Sequence, residues 1–301
     1  MSAADQVAAG YARLRPGGGG AAVRGRAALL WVEGPDATGF LHGLLSNDIA
    51  GLAAGESCAA LLLDAKGHLG AALRVRRDDE QAYTLVVDAA AADGVAELLE
   101  RYHFSEDLEI LGPEQADVVT AVGADPAGAA AAADLVVGSD LPGALDLVVS
   151  DPDAAIAALG LHEAPAESLE LARIAAGVPR VGRDTGPSTL VQEAGLEDVA
   201  VSFDKGCYLG QETVARAQYR GRVNRVLRGL LLADPPPAEG APLMREGREV
   251  GRLTSVAVVP GLGAVGLAIL RREAEPGSEV EVASEAGAGR ARVVELPFRD
   301  R

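Results

Sequence analysis

A run of three prolines, Asp234-Pro235-Pro236-Pro237, constrains this 301-residue chain more than any other local feature. Proline locks φ and donates no backbone hydrogen bond, so neither a helix nor a central strand continues through it. The sequence also reads differently on its two sides. Before the break, apolar residues recur at both helical and strand spacing. Near and after it, short apolar runs at 229–232, 250–259, 263–269, 278–283 and 290–295 alternate with Gly/Pro turns and contain almost no helical pattern. The expected fold class is α+β, with a mixed region over 25–222 in two subdomains and an all-β barrel over 223–301.

Within the mixed region, residues 27–32 read as a strand. Pro35-Asp36 opens a short amphipathic helix carrying Phe40, Leu41, Leu44 and Leu45, and Ser46-Asn47-Asp48 closes it in a polar loop. Strands are expected at 58–63, 69–76 and 83–87. Asp88 is suited to cap a helix over 89–102 with Val95, Leu98 and Leu99 on its inner face. Two further strands, 108–111 and 118–122, precede an Ala/Gly-rich stretch over 123–144 that carries little signal. A strand at 144–149 and helices at 153–159 and 165–176 follow, the last ended by Gly177. Antiparallel pairing suits this rhythm. The Gly17–Gly20 tract reads as a flexible entry segment, because no strand precedes it and no Gly-Lys-Ser/Thr follows.

A formal charge of −17 excludes general affinity for nucleic acid, which needs a dominant basic field. No apolar run reaches the roughly 18 residues of a membrane span, and the acidic, polar start is unlike a secretory signal. Two cysteines, Cys58 and Cys207, make no disulfide framework, so a reducing cytoplasm is the expected location. They also fall short of the four ligands an iron–sulfur cluster takes from one chain, and His42, His68, His103 and His162 have no zinc spacing. Cys58 and Trp31 sit in apolar strands and read as core, with a reactive thiol and a ring edge over a cavity as the respective alternatives.

The densest chemistry lies in Lys205-Gly206-Cys207-Tyr208-Leu209-Gly210-Gln211-Glu212. A thiol, an ammonium, a phenol, an amide and a carboxylate fall within eight residues, and glycines flank the thiol. Gly206 and Gly210 weaken helix and strand alike and suit a stiff turn. Of 27 basic residues only Lys66 and Lys205 are lysines, and each precedes a glycine. A compact ammonium is not interchangeable with a guanidinium at a tight site. The arginines that follow (Arg216, Arg220, Arg222, Arg225 and Arg228) read as one face of a strand pair or as an anion-recognising set. Glu193 and Glu197 read as solvated or capping charges.

Lys205-Gly206-Cys207-Tyr208-x-Gly210-Gln211-Glu212, followed by Val214-Ala215-Arg216, resembles the signature of the YgfZ-type folate-binding proteins, relatives of the glycine cleavage aminomethyltransferase (T-protein). Gly34-Pro35-Asp36-Ala37-x-x-Phe40-Leu41 with Ser46-Asn47-Asp48-Ile49, Leu62-Leu63-Asp64-x-Lys66-Gly67, and Arg173-Ile174-x-x-Gly177-x-Pro179 resemble further family segments in the same order. The resemblance covers about 25–220. It implies a ring-like, multi-part aminomethyltransferase-type fold whose central hole holds tetrahydrofolate or a one-carbon derivative. It also implies work with iron–sulfur proteins or cluster-assembly factors, including enzymes of tRNA modification.

On this resemblance Cys207 is a functional thiol and Lys205 favours its thiolate if the two side chains converge. The folate-contacting set is Asn47, Asp48, Asp64, Lys66, Tyr208, Gln211, Glu212, Arg216 and Arg222. Asn47 and Asp48 offer hydrogen bonds to a pterin edge, Tyr208 a stacking ring, and Arg216 and Arg222 guanidinium forks for a glutamate tail. One departure bears on the reaction. Adjacent aspartates follow the Lys-Gly hairpin in the transferases, whereas here the stretch runs His68-Leu69-Gly70-Ala71-Ala72. A glutamate two residues before the glycine of the later helix is Ala175 here. Methyl groups neither move protons nor hold a pterin amine. A folate-dependent accessory protein is therefore the leading expectation, and a one-carbon transferase or demethylase is the alternative. A third possibility is an interaction module with a vestigial folate cavity and an inert Cys207.

Overall fold

The computed structural model describes residues 2–221, 223–284 and 287–299. It opens with a helix the sequence reading did not anticipate, α1 (Ala3–Leu14). Ser2 and Asp5 form a reciprocal cap at its start, and Tyr11 and Leu14 are buried. β1 (Ala21–Glu33) follows and runs twice the expected length. α2 (Ala37–Leu44) then precedes β2 (Ser57–Leu63), β3 (Leu69–Arg77) and β4 (Ala82–Val87). α3 (Ala92–Tyr102) starts three residues later than expected; Asp88 instead accepts a bond from the Ala90 N–H in the preceding turn.

The two strands expected at 108–111 and 118–122 are one strand, β5 (Glu109–Val122). Its register against β1 shifts between Leu29 and Trp31, where a bulge absorbs the Gly112-Pro113 step. The stretch of little signal holds α4 (Pro126–Ala132) and β6 (Leu135–Gly138), capped by Asp125. β7 (Ala144–Val149), α5 (Pro152–Leu159) and α6 (Ala166–Ala176) complete this part.

These strands form one antiparallel sheet in the order β2-β3-β4-β1-β5-β7-β6. Strand alternation gives it two unlike faces. On one face Ala28, Leu30, Val32, Leu73, Val75, Tyr83, Leu85 and Val87 are buried beneath α2 and α3. By register the other face carries Leu29, Trp31, Arg74, Arg76, Thr84 and Val86. Arg74 reaches from β3 to Ser139 O and Asp140, both at 2.7 Å, so the two ends of the sheet curl toward each other.

Three short helices follow: α7 (Val191–Ala194), α8 (Glu197–Ala200) and α9 (Gln211–Arg220). The second sheet contains β8 (Arg225–Leu231), β9 (Pro242–Arg245), β10 (Arg248–Arg252), β11 (Ser255–Val259), β12 (Gly263–Arg271), β13 (Glu279–Ser284) and β14 (Gly287–Val294). It is antiparallel throughout, in the order β10-β9-β13-β14-β8-β12-β11.

α6 lies between the two sheets. Tyr11, Leu14, Ala172 and Ile174 share a core with Leu227, Val259, Val265 and Leu267 of the second sheet. A buried polar cluster fastens the same seam. Arg173 donates to Asp184 at 2.8 Å, to Ser255 Oγ at 2.8 Å and to both oxygens of Glu170. Asp184 also accepts from Thr254, Ser255 and the Arg180 N–H, so a fully buried carboxylate has every lone pair engaged.

Candidate functional site

The motif segment crosses the free edge of β2, where an open row of backbone groups needs covering. Ser46 and Asn47, just beyond α2, supply the first layer. Ser46 pairs its N–H with Leu61 O, accepts the Leu61 N–H on its hydroxyl at 2.8 Å, and donates that hydroxyl to Ala200 O at 2.6 Å. Asn47 Nδ2 donates to Ala59 O at 2.7 Å, and its Oδ1 accepts the Asp48 N–H. The chain leading into the motif forms the second layer, with Ser202 N–H bonded to Ser46 O. Beyond it Tyr208 packs among Leu61, Leu63, Val191 and Val214, while Leu209 packs against the α2/α3 core on the opposite face.

Lys205 is the key to the loop. Its ammonium donates to His42 O, to Leu45 O at 2.7 Å and to Asn47 O at 2.9 Å. These carbonyls cluster at the C-terminal end of α2, where backbone acceptors lack intrahelical donors and the helix dipole favours a cation. The ammonium also lies 5.1 Å from the Tyr208 ring centroid. Burial pushes its pKa down to about 8, partly opposed by Asp48 and Cys58, so it remains charged at neutral pH. Two residues beyond Cys207, the Leu209 N–H donates to Gly43 O at 3.1 Å. Cys207 is exposed and takes part in none of these bonds.

The two turns that carry the lysines meet. Gly210 (φ +80°) and Gly67 (φ +79°) lie back to back; a Cβ on Gly210 would fall 2.6 Å from Asp64 O and 3.0 Å from Gly67 Cα. Only glycine fits both the backbone angle and the approach. Gly210 also starts α9, so Gln211 and Glu212, expected in a turn, open a helix.

The remaining expected residues divide by circumstance. Asp64 Oδ1 accepts the Lys66 and His68 N–H groups, and Oδ2 meets His68 Nδ1 at 2.9 Å. Burial works to raise the Asp64 pKa, but those His68 and Lys66 bonds outweigh it and hold the carboxyl below its ordinary value. Asp48 accepts the Gly51 N–H. Lys66 is exposed, and its ammonium has no ion pair among the described residues.

Arg216 pairs with Glu212 one helical turn away. Arg222 lies outside the described residues. The arginines that follow the motif are not one face of a strand pair: Arg216 is on α9, and Arg225 and Arg228 are on β8. Arg225 pairs with Glu193 at 3.0 Å, and Glu193, expected to be solvated or capping, is a buried cap of α7.

Sequence reasoning missed His42, Gly43 and Ser46. Backbone carbonyls carry no residue signal, although a serine ending an apolar helix is a trace of this role. His42 Nδ1 accepts the Ala50 N–H at 3.2 Å, which leaves its proton on Nε2, and Nε2 faces Gly206. Burial and then the Lys205 charge lower the His42 pKa. Cys58 faces the α2/α3 core and is pushed up to about 11 by burial. Two surface recesses of about 660 and 310 Å³ line β8, β14 and the following tail, and contain no motif residue. No group of three or more His, Cys, Asp or Glu side chains among the described residues is placed to hold a metal.

Comparison with known proteins places this architecture. The family of the glycine cleavage T-protein C-terminal barrel domain matches residues 225–300. The crystal structure of aminomethyltransferase T from Bartonella henselae superposes with a TM-score of 0.80 at 22% identity, covering 97% of this chain and 89% of that one. The fold is thus that of the glycine cleavage aminomethyltransferases.

The tRNA-modifying protein YgfZ of Vibrio vulnificus is 30% identical over 280 residues, which is 85% of this chain and 86% of the relative. The chain belongs to the YgfZ family. An aminomethyltransferase of Moorella thermoacetica is 37% identical over 145 residues, and the chain spans only 39% of that relative's length. No described helix is long and apolar enough to cross a membrane.

Proposed function

We propose that this protein binds a tetrahydrofolate and uses the Cys207 thiol as an accessory factor in making or repairing iron–sulfur proteins, including enzymes that modify tRNA, in the cytoplasm. The observation that carries the reading is the construction around Cys207. A half-buried lysine, a buried tyrosine and two close-packed glycines hold a loop whose one reactive group is left exposed and, among the described residues, unbonded. A core that merely needed its edge covered would not require a thiol there. Relatives over most of the chain are named tRNA-modifying proteins.

The residues present suit a folate. The sheet face away from α2 and α3 carries a partly exposed Trp31 beside Leu111, which is 44% exposed, with Thr84 next in register. A flat heterocycle can lie on such a strip. For the acidic tail, Lys66 is an exposed cation without a carboxylate partner among the described residues, unlike Arg216. A bound tetrahydrofolate supplies a carrier for one-carbon units. Asp64, bonded to the His68 ring, is the acid–base pair next to the motif helix. Asn47, in contrast, has both ends of its amide engaged within the fold, and the Tyr208 ring is buried beneath the Lys205 ammonium.

The test is calorimetric titration of wild type and Cys207→Ala with tetrahydrofolate, alongside complementation of a strain lacking its own YgfZ. Binding by both proteins with complementation only by wild type is expected. Absence of binding by either retires the folate half, and full complementation by Cys207→Ala retires the thiol half. The Moorella relative motivates the transferase reading, but Ala71, Ala72 and Ala175 supply no carboxylate. Incubation with tetrahydrofolate and methylated glycines is expected to yield no methylenetetrahydrofolate.

A further inference from the structure

The five residues from Lys205 to Leu209 form an arch standing on the last turn of α2. One foot is the Lys205 ammonium on the carbonyls of His42, Leu45 and Asn47, and the other is the Leu209 N–H on Gly43 O. Tyr208 is buried beside the second foot. The crown, Gly206 and Cys207, is exposed and bonded to nothing among the described residues. Gly206 has no positive φ, and a Cβ there would meet only His42 Nε2 at 3.9 Å, so the crown is held by its feet and not by packing.

We infer that Lys205 is a positioning residue: by capping α2 it sets where the arch presents Cys207, and it does not act as the charge partner of the thiol. This deepens the proposed role of Cys207 and rests on it. Three converging carbonyls explain why lysine stands here in a chain that otherwise uses arginine almost throughout. A compact ammonium aims three donors at three separate acceptors, whereas a planar guanidinium offers a fork suited to one plane. A residue acting only through its charge would tolerate arginine. One acting through this cap would not.

The experiment uses the full chain in a Cys58→Ala background, so that Cys207 is the single thiol, with Lys205→Arg and Lys205→Met. Iodoacetamide alkylation is followed from pH 6 to 10, together with amide hydrogen exchange of the unsubstituted protein. Both variants are expected to change the Cys207 alkylation rate by about fivefold in the same direction, the size of effect that losing one charge-assisted anchor produces. Neither variant carries a group that titrates near 8 at this position, so the two should share one midpoint of the rate–pH profile, and the Leu209 amide should be as protected as those of α2.

Wild-type behaviour of Lys205→Arg with a raised midpoint in Lys205→Met would overturn the inference in favour of charge. Unchanged rates in both variants would overturn it as well. If neither variant folds, a Leu209 amide exchanging like free chain still refutes the arch. None of these readouts involves folate or complementation, so the inference and the function it rests on fail separately.

Discussion

Gly210 and Gly206 stand four residues apart in one motif, yet they answer to different constraints. Gly210 holds a positive φ, and its missing Cβ leaves room for the Asp64 turn, whereas Gly206 is unstrained and open. Gly210→Ala is expected to cost roughly 2–4 kcal/mol, combining left-handed strain with a collision against backbone. Gly206→Ala should stay within about 0.5 kcal/mol of wild type. Urea unfolding of the two variants checks both, and a lost function in a stable Gly206→Ala would show that a ligand or partner meets the backbone there.

The thiols separate in the same way. Cys58 is desolvated in the sheet and pushed up to about 11, so at pH 8 it stays protonated, and Cys207 alone is exposed. Iodoacetamide at pH 8 should therefore label one thiol per native chain and two in urea, counted by mass spectrometry.

Among the elements, α2 does more than its eight residues suggest. Its apolar side fills the core, and its C-terminal end receives β2, Lys205 and the entry to the motif. Ser46 is the joint: its one hydroxyl accepts Leu61 N–H and donates to Ala200 O, with no exposure to solvent. Ser46→Ala should leave both backbone groups buried and unpaired and cost about 1–3 kcal/mol. Calorimetric unfolding measures the loss, and hydrogen exchange should place it at Leu61. The apolar spacing of Phe40, Leu41, Leu44 and Leu45 made α2 legible beforehand, as alternation did for β2, β3 and β4. α1 was not legible, because its Ala-rich turns and the glycines after it suit a flexible entry equally well. Nor was the continuity of β5, where Gly112-Pro113 reads as a break until β1 supplies the partner that bridges it.

At the scale of the whole molecule, the seam at α6 decides how the two sheets are held. Asp184 balances Arg173 inside the protein, so Asp184→Ala leaves a buried guanidinium short of its partner and should cost about 3–5 kcal/mol. Glu170 sets the acid limit of the same seam. Burial works to raise its pKa, but Arg173, Arg180 and Arg183 more than compensate and hold it below its ordinary value of 4.5. A lowered carboxyl contributes stability that is present above 4.5 and is lost as pH falls through the folded-state value. Glu170→Gln should accordingly flatten the loss of urea stability below pH 4.5, and an unchanged acid limb would show that the arginines do not act through Glu170.

The residues of the motif and the mixed-then-β order of elements were set by sequence, whereas the proline run, read there as a break, only links β8 to β9 within the second sheet. Motif and order are matters of local spacing or of what proline and glycine permit. The use made of those residues was settled only by folding. Lys205 and Cys207 are two positions apart, and their order along the chain suggested a charge acting on a thiol. The fold turned the ammonium toward α2, more than 150 residues earlier, because the open carbonyls of a buried helix end are a stronger demand than any neighbour in the loop. Such acceptors belong to the backbone and have no letter in the sequence, so only the tertiary structure could say which side chain would answer them.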